Sequence, residues 1–157
     1  MTFTIAPIDG VLRKPMPRFT DTRGWLVEIF RQDELPADLE PAMAYVSSTD
    51  PGVTRGPHEH CGQTDYFCFL GPFRVFLWDN RPASPTYRHR EVICFDEDVP
   101  MLIVVPPGVV HAYQNHGTMA ALVINCPNRL YRGPGRAEAV DEIRHEDDPA
   151  SPFVIDW

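Results

Sequence analysis

Seventeen prolines, spread from Pro7 to Pro152, cut this 157-residue chain into short apolar runs. Proline lacks the N–H that a helix interior needs and fixes its own φ, so long helices are excluded over most of the chain. Glycines join the prolines at turn-like points such as Asp50-Pro51-Gly52, Gly71-Pro72 and Pro107-Gly108. The stretches between read as strands. Residues 43–48 alternate loosely, 89–95 alternate, and 101–105 and 120–125 are continuous apolar runs. Runs 66–70 and 73–78 flank Gly71-Pro72 and read as a hairpin, while 33–39 reads as a short helical turn. Strands this short, joined by such turns, predict an all-β jelly roll or small barrel. The aromatic side chains of 66–78 are expected in its core and wall. With no repeats, low-complexity tracts or linkers, residues 1–157 are expected to form a single domain.

Composition narrows the function. The formal net charge of −8 lacks the basic footprint of a nucleic-acid binder. It leaves room for a phosphorylated small molecule, because a few arginines can grip a diphosphate through bidentate hydrogen bonds. Arg23, Arg31, Arg55, Arg129 and Arg132 are available for that. The acids gather at 96–98 and 141–148, read as solvated surface. No run approaches the length of a membrane span and the N-terminus carries no signal-peptide pattern, so the expectation is a cytoplasmic protein with no membrane partner. Cys61, Cys68, Cys94 and Cys126 form no C-x-x-C pair and are expected as reduced, buried thiols.

Two segments carry the chemistry. Gly52 is followed after five residues by His58-Glu59-His60, and Pro106-Pro107-Gly108-Val109-Val110-His111 comes later, with Asn115 beyond it. Alternate residues of a strand share a face, so His58 and His60 converge on one side of a sheet. A third imidazole from a neighbouring strand makes a polar cluster that is costly to bury unless it binds a metal or moves protons.

These segments resemble the two cupin signature motifs, with Gly52, His58, His60, Asp65 and Gly71 in the first and Pro106, Gly108, His111 and Asn115 in the second. Asp65 stands where the signature has glutamate, and Gly71 falls one residue early. A narrower resemblance runs in order from about residue 19 to 157. Asp21-Thr22-Arg23-Gly24 with Glu28, Ser47 through Arg55-Gly56-Pro57-His58, Trp78-Asp79-Asn80-Arg81 with Ser84-Pro85-Thr86, and Asp147-Asp148-Pro149 with Ile155-Asp156-Trp157 are similar to segments of the dTDP-4-dehydrorhamnose 3,5-epimerases. That resemblance implies a cupin jelly-roll β-barrel, working as a homodimer on a nucleotide-diphosphate sugar of the 4-keto-6-deoxy type. It implies His58 as the base, Asp148 (with Asp147 as fallback) as the carboxylate orienting it, and Tyr131 as the opposing acid. Arg23, Glu28, Arg55, His60, His111 and Asn115 are the implied substrate-binding residues, with the segment around Arg23 reaching into the partner's pocket.

Two departures stand out. The family places a lysine near the enolate oxygen, and here that position is Thr64; Lys14 is the only lysine. His60 stands where the family has glutamine or a similar residue. A protonated His60 could replace the lysine, or a divalent metal on His58, His60, Asp65 and His111 could polarise the carbonyl. The expectation is an epimerase that requires no metal cofactor. The alternatives are a metal-dependent cupin enzyme, isomerase or dioxygenase, and a non-catalytic sugar-binding cupin.

Overall fold

The structure, a computed structural model, describes residues 2–35 and 39–156. Its strands in chain order are β1 (Thr4–Ile5), β2 (Leu12–Pro15), β3 (Arg18–Asp21), β4 (Gly24–Val27), β5 (Tyr45–Thr49), β6 (Thr54–Glu59), β7 (Asp65–Leu70), β8 (Phe73–Asp79), β9 (His89–Phe95), β10 (Met101–Val105), β11 (Val109–Asn115), β12 (Ala121–Asn125) and β13 (Ile143–Arg144). One sheet runs β1-β9-β8-β11-β6-β13 and a second runs β2-β10-β7-β12-β5, while among the described residues β3 and β4 pair only with each other. Every strand pair is antiparallel except β1 with β9. This is the expected all-β jelly roll. Among the described residues no helix is long and apolar enough to cross a membrane.

The central strands are buried on both faces, which is why they read as unbroken apolar runs rather than alternating ones. On β7, Phe67 and Phe69 point between the sheets and pack with Phe73, Val75 and Leu77 of β8 and Ile103 of β10. The alternate residues Tyr66 and Cys68 face outward, under Met16, Leu39, Val27 and Ile29. Phe76 and Trp78 of β8 likewise lie on the far face, covered by Phe153 from the C-terminal segment.

Three expectations are corrected. β7 and β8 are not a hairpin: β7 lies between β10 and β12, whereas β8 lies between β9 and β11. Gly71 carries the chain from one sheet to the other at φ +152°, and a Cβ there would come within 2.6 Å of Ala121 Cβ. Tight turns join strands within a sheet and corners join strands between sheets, and a Gly-Pro pair serves either. The helical turn is shorter than the 33–39 expected, a 3-10 turn at Gln32–Glu34; residues 36–38 lie outside the described residues. The cysteines are all free, but Cys61 and Cys94 are exposed and only Cys68 and Cys126 are buried. Cys94 sits on β9, whose outer positions face solvent.

Candidate active site

β6 and β11 run antiparallel with His58 opposite His111, and β6 is bulged just beyond that pair, where Gly56 and Pro57 stand against Ala112. The two rings meet edge to face with centroids 4.4 Å apart. His60, one residue past the end of β6, puts its ring 5.9 Å from His58 and 6.0 Å from His111. Gly56 makes the approach possible: at φ +83°, a Cβ would meet the His111 carbonyl at 2.6 Å and His58 Nδ1 at 3.1 Å.

Asp65, the first residue of β7, anchors the cluster from below. Its Oδ2 lies 3.2 Å from His60 Nε2 and 3.4 Å from His111 Nε2. Its Oδ1 accepts hydrogen bonds of 2.8 Å from Gln63 Nε2 and Asn125 Nδ2. Burial alone would push this carboxyl up, but the His60 hydrogen bond, the nearby rings and Asn125 outweigh it and hold the group ionised. His60 is bracketed: the Asp141 carbonyl faces Nδ1 and Asp65 faces Nε2. An imidazole with an acceptor on each nitrogen is satisfied only when both are protonated. Burial opposes that charge, yet Asp65 and Asp141 together raise the ring to about 9. His58 goes the other way: burial first, then the neighbouring His111 and His60 rings, with which it would have to share positive charge, push it down to about 2. His111, only 2% exposed, is lowered by burial as well. At neutral pH the trio therefore holds one cation and two neutral rings.

The same groups fit a divalent ion. The ring nitrogens of His58, His60 and His111 lie within 4.8 Å of one another. His111 hydrogen-bonds through Nδ1 to the Val109 carbonyl at 3.1 Å, and its buried Nε2 has no hydrogen-bond partner among the described residues. A backbone carbonyl on one ring nitrogen with the other left free is how metal-binding histidines are oriented. Imidazole with carboxylate suits zinc, nickel or iron.

Above the cluster opens a cavity of about 1210 Å³. His58 and His60 form its floor; Tyr45, Arg55 and Tyr113 line one wall; residues 127–136 with Arg129, Tyr131 and Arg136 form its mouth. Five arginines, at 55, 129, 132, 136 and 144, face this one space. Arg55 is fixed by donating to Thr49 Oγ1 at 3.1 Å and to the Ser48 carbonyl at 2.9 Å.

Other residues singled out in the sequence lie elsewhere. Arg23 sits at the exposed tip of the β3–β4 hairpin, paired with Asp21. Glu28 faces Arg31 at 3.8 Å. Neither lines this chain's own cavity. Asn115 is corrected from substrate binding to structure: it is fully buried, donates to the Thr49 and Met119 carbonyls and accepts the Gly117 N–H. It closes the turn after β11. Asp148 is corrected too. Its carboxylate caps an exposed turn by accepting the Ala150 N–H at 2.9 Å, and among the described residues the ion pairs of His58 go to other acids.

The acids that do approach His58 are Glu142, at 3.9 Å from Nε2, and Glu146, at 4.0 Å from Nδ1. Sequence reading missed both, because they belong to the 141–148 run taken as solvated surface. Asp141 was missed for the same reason. Its carboxylate accepts the backbone N–H groups of Cys61, Gly62 and Gln63 at 2.8–3.0 Å, locking the loop that carries His60. Asp141-Glu142-Ile143-Arg144-His145-Glu146 holds one apolar residue and no alternation, so the two-residue strand β13 that forms there left no signal in the sequence.

Residues 6–151 match the family model described as dTDP-4-dehydrorhamnose 3,5-epimerase. The chain is 38% identical over 113 residues to a probable low-salt glycan biosynthesis epimerase, Agl13, of Haloferax volcanii, covering 71% of this chain and 72% of that one. It is 36% identical over 118 residues to the spore coat polysaccharide biosynthesis protein SpsL of Bacillus subtilis, covering 74% and 78%. In fold it is similar to the crystal structure of a dTDP sugar isomerase from Desulfovibrio desulfuricans G20, with TM-score 0.80, 24% identity and coverage of 94% and 91%.

Proposed function

The chain belongs to the dTDP-4-dehydrorhamnose 3,5-epimerase family and is thereby a nucleotide-sugar epimerase, for which we propose His58 as the base and Tyr131 as the opposing acid. The substrate is a nucleoside-diphosphate 4-keto-6-deoxy sugar. Its C3 and C5 protons are acidic because the C4 carbonyl can take up the electron pair. Neutral His58 removes a proton from one face; the C–H pair becomes the new C=C bond and the carbonyl π pair moves to the C4 oxygen. Tyr131 then delivers its hydroxyl proton to the opposite face, and the carbonyl re-forms with inverted configuration. Solvent returns Tyr131 and His58 to their starting states.

The observation that carries this reading is the state of the histidine cluster. His58 lines the cavity floor as a neutral ring, and His60 beside it is held protonated by Asp65 and the Asp141 carbonyl. The His60 cation lies beside the neutral His58 ring, in a chain that has Thr64 at the family's lysine position. It stabilises the enolate oxygen. The arginines of the mouth and Arg55 take the diphosphate.

His111 Nε2, without a hydrogen-bond partner among the described residues and 3.4 Å from the Asp65 carboxylate, favours a second reading, in which a divalent ion on His58, His60, Asp65 and His111 is present. Such an ion would supply Lewis-acid polarisation of the carbonyl. It would also occupy the base, so the two readings differ in what chelation does.

The working unit is a homodimer. Among the described residues the β3–β4 hairpin pairs with no other strand, and it exposes Phe19, Trp25 and Leu26 at 56%, 53% and 58%, with Arg23 at its tip. A second copy would cover this apolar surface and receive Arg23 in its cavity.

Solvent deuterium incorporation into dTDP-, CDP- and GDP-linked 4-keto-6-deoxy sugars tests the activity and reads which carbon exchanges. Wash-in at C3, C5 or both is expected for one nucleotide series. No exchange with any of them would leave a sugar-binding protein. Exchange that stops on chelation and returns with zinc, nickel or iron would favour the second reading.

A further inference from the structure

The C-terminal segment is fastened to the strand that carries His58, and the fastening delivers a carboxylate. Strand β13 pairs with β6 so that Arg144 lies opposite His58 and Ile143 opposite Glu59. Directly after it, the backbone N–H groups of His145 and Glu146 both donate to the Pro57 carbonyl, at 2.9 and 3.0 Å. Pro57 is the neighbour of His58, so the Glu146 backbone is tied one residue from the base. A second lock lies on the other face of β6. Glu59, buried there, holds His145 Nε2 and Asn80 Nδ2 at 2.9 Å each, and the His145 ring packs on Phe153 at 4.6 Å.

The two acids near His58 are not equivalent. Glu142 already accepts a hydrogen bond from Arg144 Nε at 2.9 Å, and it lies on the Nε2 side of the ring. Glu146 lies on the Nδ1 side, 4.0 Å away. Nδ1 is a buried nitrogen with no hydrogen-bond partner among the described residues. A buried ring nitrogen left unpaired is costly, and a carboxylate within one side-chain adjustment removes that cost.

We infer that Glu146 is the positioning residue for His58: it accepts the Nδ1 proton, fixes the ring in the tautomer with a lone pair on Nε2, and offsets the charge when that nitrogen takes a proton from the sugar. This role rests on the reading of His58 as the base. Free imidazole prefers the other tautomer, with the proton on Nε2, which cannot act as base through that atom. The choice of tautomer is therefore the choice between a working and an idle ring. Glu146 touches the base and not the sugar, so its loss acts on turnover rather than on binding.

The test is 15N-edited NMR of histidine-labelled full-length protein, with steady-state kinetics on the same samples. Wild-type His58 is expected as the Nδ1–H tautomer. Glu146→Ala is expected to move it toward Nε2–H and to lower kcat about 10- to 100-fold, with KM changed less than about threefold. Glu146→Gln keeps the shape and an acceptor oxygen. It is expected to keep the tautomer yet lose kcat through the missing charge, and it remains readable should the alanine variant fold poorly. Glu142→Gln and Asp148→Asn are expected to leave the tautomer as in wild type. A wild-type Nε2–H tautomer, a tautomer unmoved in a folded Glu146→Ala, or wild-type kcat in Glu146→Gln would each overturn the inference. Absence of deuterium exchange in the wild-type protein would instead sink the epimerase reading, while the tautomer could still be read.

Discussion

At the scale of single residues, the site is built by giving three similar rings different surroundings. His58 and His60 are two residues apart, yet one is pushed down to about 2 and the other raised to about 9. The difference is Asp65 and Asp141, which serve His60 and not His58. His58→Asn keeps size and polarity but cannot accept a proton. It is expected to retain nucleotide-sugar binding while deuterium wash-in falls at least about a hundredfold. Wild-type exchange in that variant, with exchange lost in His60→Asn, would move the base to His60. Asp141→Asn is expected to fold, with the loop at 61–63 loosened and exchange reduced about tenfold, because its side-chain acceptor for three N–H groups is weakened. Enhanced hydrogen exchange confined to those three amides would check it. The base was legible in the sequence because strand periodicity and the Arg55-Gly56-Pro57-His58 segment both mark it. Its carboxylate partner was not. Glu146 reaches His58 through a two-residue strand and two backbone hydrogen bonds to Pro57, contacts made across 89 residues that no local pattern records.

Strands were legible wherever both faces are buried, as at residues 101–105, or where one face is, as at 89–95. Pairing was not, because a Gly-Pro step looks alike in a turn and in a corner between sheets. At the end of β8, Asp79 is fully buried and gathers Arg81 Nε at 2.8 Å and the Ser84 and Thr86 hydroxyls at 2.6 Å each. This network shapes the loop between β8 and β9 beside the edge of β11. Burial would raise the Asp79 carboxyl, but Arg81, Ser84 and Thr86 outweigh it and lower it to about 2. A folded pKa below the unfolded value of 3.8 adds stability that is present above pH 3.8 and lost as pH falls through 2. Removing it is expected to cost about 2 kcal/mol at neutral pH. Asp79→Asn should therefore unfold at lower denaturant at pH 7, with the gap to wild type closing as pH approaches 2. An equal gap at both ends of a urea–pH series would assign the loss to packing instead.

At the scale of the whole molecule, an acidic protein carries five arginines around one cavity and one more on a hairpin that this cavity cannot use. Arg23 is free of the chain's own site, and the apolar residues flanking it, Phe19, Trp25 and Leu26, lie open. Both facts are explained together if the hairpin lies across a second copy. A closed two-fold dimer would then place each Arg23 at the partner's cavity. Trp25→Glu with Leu26→Glu is expected to give a monomer in light scattering and to abolish exchange. Those outcomes alone would not separate a shared site from a merely stabilised one. Mixed dimers do. Arg23→Ala is expected to weaken substrate capture about 10- to 100-fold, as for a lost charge-assisted hydrogen bond, and His58→Asn removes the base. If Arg23 serves the partner, a mixed dimer of these two variants holds one cavity with both defects and one with neither. Random reassociation of equal amounts makes half the dimers mixed, so about a quarter of wild-type activity should return. If Arg23 serves its own chain, every cavity in the mixture carries a defect and nothing returns. Recovery near a quarter, appearing only after subunit exchange, is the result expected; no recovery in a mixture shown by mass spectrometry to contain mixed dimers would confine each site to a single chain.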